Sequence, residues 1–562
     1  MYSFIKSKRC DSSGVAPLRR DGRIHIDSTT CSNILNDQFV SVFSQEPPGM
    51  RLPDLGPSQY PSCSGIPGII KLLQRLSPYK ASGPDGLSSR FLKETAVEIA
   101  GALGLVFQAS LHQHQVPDDW KKANIVPLFK KGDRANAANY RPVSLTSICC
   151  KVLEHILHSN IITHLENHNI LCDNQHGFRK TRSCETQLIL TIDDLARNLD
   201  AKSQMDVILL DFSKAFDKVC HRLLIHKLDH YGIRGDTLLW ITDFLLNRTQ
   251  KVILDGESSN ESKVVSGVPQ GTVLGSLLFL VYINDLPNCV TSTTRLFADD
   301  YLLYRRIDTV EDSQLLQRDL NSLQLWEQQW LMEFNAAKCE VICITNKRKP
   351  VTNSYTIHNS LLQQVSTARY LGVNIHNQLR WAHHIDSITK SANQSLNFLK
   401  RNMYSCPTTT KEQCYKTLVL PKLECASTVW DHYTKQDINK IESVQNRAAR
   451  FTTGDYRRTS SVTAMKEQLH WQTLQQQRHQ AKITMLYKVR NGLVAIPAEQ
   501  YLIPSARTTR GNQYKYMHIP HNLNVYGFSF FPSTIRLWNN IPSDICSLSL
   551  GTFKEKVSTI LF

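Results

Sequence analysis

Short apolar runs bounded by polar turns alternate along the chain with longer segments of helical periodicity. The segment Met205–Phe212 is predicted to be a buried strand, because Val207–Leu210 is an unbroken apolar, β-favouring run. Two further runs of this kind make up Thr294–Tyr304, with Asp299 and Asp300 between them, which is the pattern of a hairpin with both acidic residues at its bend. The chain is therefore predicted to be an α/β (α+β) protein that places carboxylates at strand ends.

Helical spacing of apolar residues predicts the other main elements. Leu35, Phe39, Val42 and Phe43 indicate a short amphipathic helix near the start, and the Pro- and Gly-rich Pro47–Pro67 indicates a linker. Further helices are predicted around Phe91 and Leu92, from Ser147 through Ile156, after Cys184 (with Leu188, Leu190, Ile192 and Leu195), after the acidic pair (with Leu315, Leu316, Leu320, Leu323 and Trp326), and over Asp437–Phe451.

The acidic pair carries the first chemical prediction. Adjacent carboxylates repel each other, and a divalent cation with oxygen ligands offsets that repulsion. If the strand that ends at Asp211 lies beside the hairpin, then Asp211, Asp299 and Asp300 converge although they are far apart in sequence. Carboxylates around two metal ions about 4 Å apart stabilise the attacking and leaving oxygens of phosphoryl transfer. An Asp-Asp pair in a loop also fits an ordinary solvated surface, and the pair alone leaves both interpretations open.

Length and charge narrow the choice of partners. A chain of 562 residues is too long for one ordinary domain, and 41% hydrophobic residues suffice for sizeable cores. The 65 Lys and Arg residues outnumber the 49 Asp and Glu residues and give a net charge of +16. Such a surplus favours a polyanion such as nucleic acid, although a merely basic protein would show it too.

The cysteines, the start of the chain and the apolar runs indicate in which cellular compartment the protein is expected. None of the 15 Cys residues forms a Cys-x-x-Cys pair, which argues against a zinc site, and Cys149 and Cys150 are interpreted as buried thiols of an intracellular protein. The start Met1–Cys10 is short, mixed and basic, unlike a signal peptide. The longest apolar run, Leu277–Ile283, is too short to span a membrane, so no membrane partner is expected.

Two polar stretches are candidates for contact with a nucleotide. A predicted strand pair carries Lys130, Lys131 and Arg141, which could present cations to a triphosphate or could simply form a solvated face. The turn-rich stretch Ser266–Gly275 leads into an apolar helix; its glycines, among them Gly271, permit close backbone approach, and Gln270 can hydrogen-bond through its amide. A turn before a buried helix would explain the glycines but not the polar Gln270.

Three motifs occur in order and at domain-sized spacing: Asp211–Asp217, Ser266–Gly271 and Phe297–Asp300. Together they resemble the reverse transcriptases of non-LTR retrotransposons, closest to the jockey-like, LINE-type elements, and the resemblance runs over nearly the whole chain. It implies a right-hand polymerase, with fingers, a palm made of an antiparallel sheet plus helices, and a mostly helical thumb. It also implies RNA-directed DNA polymerase activity with two Mg²⁺ ions, for which Mn²⁺ could substitute.

The resemblance also divides the chain and assigns its flanking motifs. Lys80–Leu87 matches the family's template-contacting motif, and Ala368–Val373 resembles the primer-grip block. Arg179, Lys180 and Arg182 are either candidate phosphate contacts or a basic helix entry exposed to solvent. The implied division is a leader or connector at 1–66, fingers with the amino-terminal motif at 67–200, a palm at 201–385, a thumb at 386–500 and a tail at 501–562. Packing of the aromatic tail against the thumb is favoured over stacking on bases.

Catalytic roles follow from the same resemblance. Asp211 and Asp299 are expected to bridge the two metal ions, with Asp300 in support. Lys338 matches the lysine that could protonate the leaving pyrophosphate. Asp217 is expected to start the next helix rather than to take part in catalysis.

The resemblance likewise assigns nucleotide-binding roles. Arg141 and one of Lys130 and Lys131 are expected to bind the triphosphate. Phe216 is the expected steric gate against a 2′-hydroxyl, and Gln270 with Gly271 is expected to position the template base and incoming nucleotide.

The expected partners are an RNA template, a DNA primer or target and dNTPs, in the nucleus and cytoplasm. Family members join an upstream endonuclease to the polymerase, and 66 residues cannot hold one. Truncation of the element, a gene-model boundary and a separate endonuclease acting in trans are the three explanations left open. Two alternatives stay open: a nucleic-acid-binding remnant whose polymerase is unused, and a host-adapted reverse transcriptase with a dedicated RNA.

Overall fold

The computed structural model describes residues 15–61, 69–505 and 514–560. The predicted basic start at 1–10, the end of the predicted linker at 62–67 and the first tail residues, 506–513, lie outside these ranges. The described chain is mixed α/β, as predicted. It forms two units: the first takes its residues from Met1–Phe178, Phe212–Val290 and Asn321–Asn335, and the second from Arg179–Asp211, Thr291–Leu320 and Ala336–Phe562.

The first unit contains a sheet surrounded by helices. Its helices are Ser28–Val40, Ile69–Gln74, Ser89–Glu94, Ala96–His112, Asp118–Lys121, Ile148–Asn167, His221–His230, Gly235–Leu245 and Leu274–Tyr282. Its strands are Leu18–Arg20, Arg23–His25, Lys122–Phe129, Tyr140–Leu145, Arg248–Leu254, Glu257–Ser258 and Ser262–Val264. The helix predicted from Ser147 to Ile156 is longer than expected, with Ser147 as its N-cap.

The sheet of the first unit is built on Lys122–Phe129. This strand pairs antiparallel with Tyr140–Leu145 and parallel with Arg248–Leu254. The N-terminal helix Ser28–Val40 contributes Leu35 and Phe39 to the same buried core as the sheet. The predicted helix therefore exists, but it ends before Val42 and Phe43, and its apolar face is part of this core.

The second unit contains the other large sheet and most of the C-terminal helices. Its helices are Cys184–Asp200, Val310–Trp330 (counted with the first unit from Asn321), Ala382–Asn402, Thr408–Leu418, Leu420–Glu424, Ser427–Trp430, Lys435–Thr453, Val462–Gln468, Leu474–Arg490, Ala498–Tyr501, Asn524–Gly527, Phe530–Trp538, Ser543–Cys546 and Leu550–Thr559. Its strands are Gln204–Asp211, Thr293–Phe297, Asp300–Ile307, Glu340–Ile344, Thr356–Ile357, Ser360–Leu361, Gln363–Gln364, Thr367–Tyr370 and Val373–His376.

The strand Gln204–Asp211 lies at the centre of this second sheet. It pairs antiparallel with Asp300–Ile307 on one side and with Glu340–Ile344 on the other. The hairpin strand Thr293–Phe297 forms one edge, and Gln363–Gln364 forms the other. In the apolar run of the central strand, Val207, Ile208 and Leu210 are buried, as its composition predicted, and Leu209 is half-buried.

The helix Cys184–Asp200 supports this sheet. A capping box between Ser183 and Thr186 fixes its start. Its four predicted core residues are all buried: Leu188, Leu190, Ile192 and Leu195. The sequence thus predicted both the helix and its buried face.

The aromatic tail packs on the helices of the predicted thumb. Phe531 and Trp538 are fully buried. Lys482, on the helix Leu474–Arg490, donates a hydrogen bond to Ser533 Oγ over 2.9 Å. This contact and the burial of the aromatics confirm the expectation that the tail packs against the helices.

Two predictions about cysteines and membranes can be compared with the described residues. Cys149 and Cys150 are buried, and burial raises the pKa of the Cys149 thiol to about 11. The 13 cysteines of the described ranges are all free thiols. Within those ranges, no helix has the length and apolarity needed to cross a membrane.

Candidate active site

The three acidic residues meet at one end of the second unit's sheet. Asp211 is the last residue of its strand, and its Cα faces the Cα of Asp300 in the antiparallel register. Opposed residues of such a pair have Cα atoms about 5 Å apart. Asp300 is also the register partner of Phe297, so that Asp299 lies in the tight bend beside Ala298, whose φ is +55°. The strand that ends at Asp211 therefore lies beside the hairpin, as the pattern predicted.

Lys338 lies beside this cluster. It ends the short 3₁₀ turn Ala336–Lys338, directly before the strand Glu340–Ile344. Because that strand pairs with the one carrying Asp211, the turn comes close to the end of both. The Lys338 ammonium lies 2.8 Å from Asp211 Oδ2, and the two side chains are 45% and 30% exposed.

The donor chemistry of the cluster suits a hard divalent cation. Three carboxylates offer only oxygen ligands, which Mg²⁺ prefers. Among the residues that the structure describes, no three His, Cys, Asp or Glu side chains form a group that could hold a metal ion. The ammonium of Lys338 supplies a positive charge to Asp211 in this arrangement. By residue type and backbone position the cluster fits a metal site. In such a site the carboxylate of Asp211 would contact both the metal ion and Lys338.

A partly buried polar trio of Asp194, Arg295 and Tyr304, here called the hairpin anchor, fixes the acidic hairpin to the helix Cys184–Asp200. Asp194 Oδ2 accepts hydrogen bonds from Tyr304 Oη over 2.6 Å and from Arg295 over 2.8 Å. Burial raises the pKa of Tyr304, and so does the neighbouring Asp194. Sequence analysis missed this trio, although polar Arg295 and Tyr304 within two apolar runs were a visible signal.

The predicted primer-grip block also belongs to the second unit. It forms the antiparallel strands Thr367–Tyr370 and Val373–His376. Tyr370 is buried, and its hydroxyl accepts a hydrogen bond from Gln187 Nε2 over 3.0 Å. The block is therefore bonded to the same helix as the hairpin anchor.

Phe216 belongs to the first unit. Its ring stacks on Phe279 at a centroid distance of 4.3 Å and meets Phe178 edge-on at 6.3 Å. Two aromatic contacts hold the ring in one orientation. A fixed flat ring has the rigidity that a steric gate requires.

The stretch with Gln270 and Gly271 is bonded to the strand Tyr140–Leu145. The backbone carbonyl of Gln270 accepts a hydrogen bond from Ser144 N over 2.7 Å. Gly271 has φ +115°, and a Cβ atom there would lie 2.7 Å from the Ser144 carbonyl oxygen. Only glycine fits this position, so the motif glycine has a steric reason within the first unit.

The basic candidates lie at one end of the first unit's sheet. Lys130 and Lys131 follow the strand that ends at Phe129, and Arg141 pairs with Leu128 in the register. All three cationic residues are exposed. The strand pair that the sequence predicted is therefore present, with the cations at its turn.

The expectation that Asp217 starts the next helix is wrong. The next helix is His221–His230, and its N-cap is Cys220, so Asp217 lies in the loop before it. Its carboxylate instead accepts a hydrogen bond from Gln270 Nε2 over 3.1 Å. Burial raises the pKa of Asp217 to about 6. Sequence spacing gave no sign of this contact, because it joins two separate motifs.

Part of the chain is similar to a known family of proteins. A family model described as reverse transcriptase (RNA-dependent DNA polymerase) matches residues 128–375. The probable RNA-directed DNA polymerase from transposon BS of Drosophila melanogaster is 29% identical over 68% of this chain and 44% of its own length. The RNA-directed DNA polymerase from mobile element jockey of the same organism is 28% identical over 70% of this chain and 44% of its own length.

A third relative shows the same extent of similarity. The probable RNA-directed DNA polymerase from transposon X-element of Drosophila melanogaster is 28% identical over 69% of this chain and 43% of its own length. The chain thus spans less than half the length of the curated relatives it matches. The matched domain contains the acidic cluster, Lys338 and the motifs around Phe216 and Gln270. Residues 128–375 thus match the reverse transcriptase family model, and about two thirds of the chain is similar to RNA-directed DNA polymerases of transposons and mobile elements.

Proposed function

We propose that this chain is an RNA-directed DNA polymerase of a non-LTR retrotransposon, which extends the 3′-hydroxyl of a DNA primer on an RNA template. The observation that carries the proposal is the register that opposes Asp211 and Asp300, with Lys338 bonded to Asp211. Strand ends that gather carboxylates beside a lysine suit nucleotidyl transfer, in which charge develops on phosphate oxygens. The names of the BS, jockey and X-element relatives support the same activity.

The acidic cluster is proposed to hold two Mg²⁺ ions, for which Mn²⁺ could substitute. Asp211 and Asp299 would be the shared ligands, and Asp300 would support them. When bound, such ions lower the pKa of a primer hydroxyl and neutralise charge on the triphosphate. Lys338, whose side chain pairs with Asp211, would give a proton to the leaving pyrophosphate.

Residues of the first unit are proposed to select and hold the nucleotide. Arg141, together with Lys130 or Lys131, would bind the phosphates, because exposed cations at a strand turn can reach an anion in solvent. Phe216 would exclude a ribose 2′-hydroxyl, which its two aromatic contacts support. Gln270 and Gly271 would position the template base and the incoming nucleotide.

The proposed partners are an RNA template, a DNA primer and dNTPs. The net charge of +16 supports a nucleic-acid partner. An element that copies RNA into chromosomal DNA needs its polymerase in the nucleus as well as in the cytoplasm, where the protein is made, and we propose both locations.

A primer-extension assay tests the activity. Purified protein is given oligo(dT)-primed poly(A), Mg²⁺ and labelled dTTP, and wild type is compared with Asp299→Asn. The substitution should reduce incorporation by about three orders of magnitude, because a lost metal ligand costs several kcal/mol in the transition state. RNA binding should be unchanged. The matched control, Asp236→Asn, alters an exposed aspartate of the first unit and should keep full activity. Normal incorporation by the Asp299 variant would refute the assignment.

A further inference from the structure

Backbone hydrogen bonds join two sequence motifs of the first unit around Asp217. Val268 N donates to the Phe216 carbonyl over 2.8 Å, and Gly267 N donates to the Val219 carbonyl over 2.7 Å. Ser266 Oγ donates to the Asp217 carbonyl over 2.8 Å. The backbone of Asp217 is therefore fixed relative to the loop that carries Gln270.

The approach of the two loops leaves no space for a side chain at Gly267. A Cβ atom there would lie 2.8 Å from the Asp217 carbonyl oxygen and 2.9 Å from that of Phe216. The φ of Gly267 is +88°, a conformation that other residues rarely adopt. Close packing thus holds the Asp217 carboxylate within hydrogen-bonding distance of Gln270.

The charge state of Asp217 decides what the hydrogen bond can do. Burial raises its pKa, while Lys214, the bond from Gln270 and Arg141 lower it, and the result is about 6. At neutral pH the side chain is therefore mostly ionised. An ionised carboxylate accepts hydrogen bonds but cannot donate them. It can bind the Nε2 end of the Gln270 amide and not the Oε1 end.

This contact defines the orientation of an otherwise ambiguous side chain. A glutamine amide can rotate by a half-turn, which exchanges its donor and acceptor ends. The Gln270 backbone is held by Ser144, so that the remaining freedom of the residue lies in its side chain. With Nε2 bonded to Asp217 over 3.1 Å, the acceptor Oε1 is the end left to meet a donor on the nucleotide or template.

We propose that Asp217 is a positioning residue for the polymerase reaction, which fixes the donor and acceptor ends of the Gln270 amide for nucleotide selection. The inference rests on the proposed function, since it concerns how that site recognises a nucleotide. Asp217 acts through Gln270 and does not touch the reacting atoms. Its effect belongs to nucleotide binding and not to the chemical step.

Steady-state primer extension with Asp217→Asn, Gln270→Ala and the double variant tests the inference. Asparagine keeps the size of the side chain but presents both a donor and an acceptor, so it no longer selects one amide orientation. Each single variant should raise the KM for dTTP by about 3- to 10-fold, the range of one lost hydrogen bond, with kcat within about threefold. The double variant should have the KM of Gln270→Ala alone, because Asp217 has nothing left to orient.

Each outcome has one meaning. If the effects of the two substitutions multiply, or if kcat falls while KM does not change, Asp217 does not act through Gln270 and the inference is wrong. If wild type does not extend the primer, the proposed function fails and the inference fails with it. The matched control, Asp119→Asn, removes an exposed aspartate that pairs with Lys122 and should leave both constants unchanged. Thermal unfolding of every variant identifies any that is misfolded, and Asp217→Ala then replaces the asparagine variant in the same cycle.

Discussion

Replacement of Lys338 by methionine distinguishes two possible roles of this lysine, because each role predicts a different loss of reaction rate. If Lys338 only pairs with Asp211, the loss is that of a half-exposed ion pair, because the side chains are 45% and 30% exposed. Such pairs contribute about 1 kcal/mol or less, which corresponds to at most about fivefold in rate. If Lys338 protonates the leaving pyrophosphate, the loss is that of a general acid, about 10²- to 10⁴-fold.

The assay is single-turnover incorporation of one dNTP, which isolates the chemical step from product release. We expect Lys338→Met to slow incorporation at least about 100-fold, with the KM for dNTP changed little. Lys338→Arg should restore the ion pair but not the rate, since arginine stays protonated in proteins. The matched control, Lys218→Met, removes a lysine whose partner is Glu333. A loss under about fivefold would show that Lys338 is an electrostatic partner of Asp211 only.

Two further predictions concern stability. Burial raises the pKa of Asp431, but Lys482 and a second buried cation outweigh it and hold the pKa at about 2, below the ordinary 3.8. The ionised Asp431 therefore contributes about 2 kcal/mol to stability above pH 3.8, and this contribution is lost as the pH falls toward 2. The free energy of unfolding measured in urea should fall by this amount in wild type and not in Asp431→Asn. An equal fall in both proteins would contradict the prediction. Gly267→Ala should destabilise by more than about 2 kcal/mol, and Gly256→Ala, also at positive φ but in open space, by only about 1 kcal/mol in the same assay. Equal losses of unfolding free energy in the two variants would show that the backbone of Asp217 does not pack tightly against Gly267.

The sequence predicted the acidic cluster because its signals are local. An apolar run that ends in Asp211 and a hairpin with Asp299 at its bend are each visible within a dozen residues. Their convergence needed only the assumption that the two strands pair, and the register confirms it. The helix Cys184–Asp200 was predictable for the same reason, since its spacing shows the buried face.

The contacts that sequence analysis missed join residues far apart in the chain. Asp217 was expected at a helix start, but its bond to Gln270 depends on how two loops pack. The hairpin anchor shows the same limit: Asp194 meets Tyr304 only after the sheet has formed. Polar residues inside apolar segments mark such positions, but the partner of each is set by tertiary structure.

The helix Cys184–Asp200 also has consequences for synthesis of the protein. One of its residues, Asp194, binds the acidic hairpin, while Asp200 accepts backbone hydrogen bonds from Asn522 and Leu523, more than 320 positions later. During translation the chain emerges from the ribosome in order, and domains fold as their parts become available. The support beneath the acidic bend is therefore complete only after translation has passed Leu523, so that the nascent protein acquires its finished second unit late, more than 320 residues after this helix has been made.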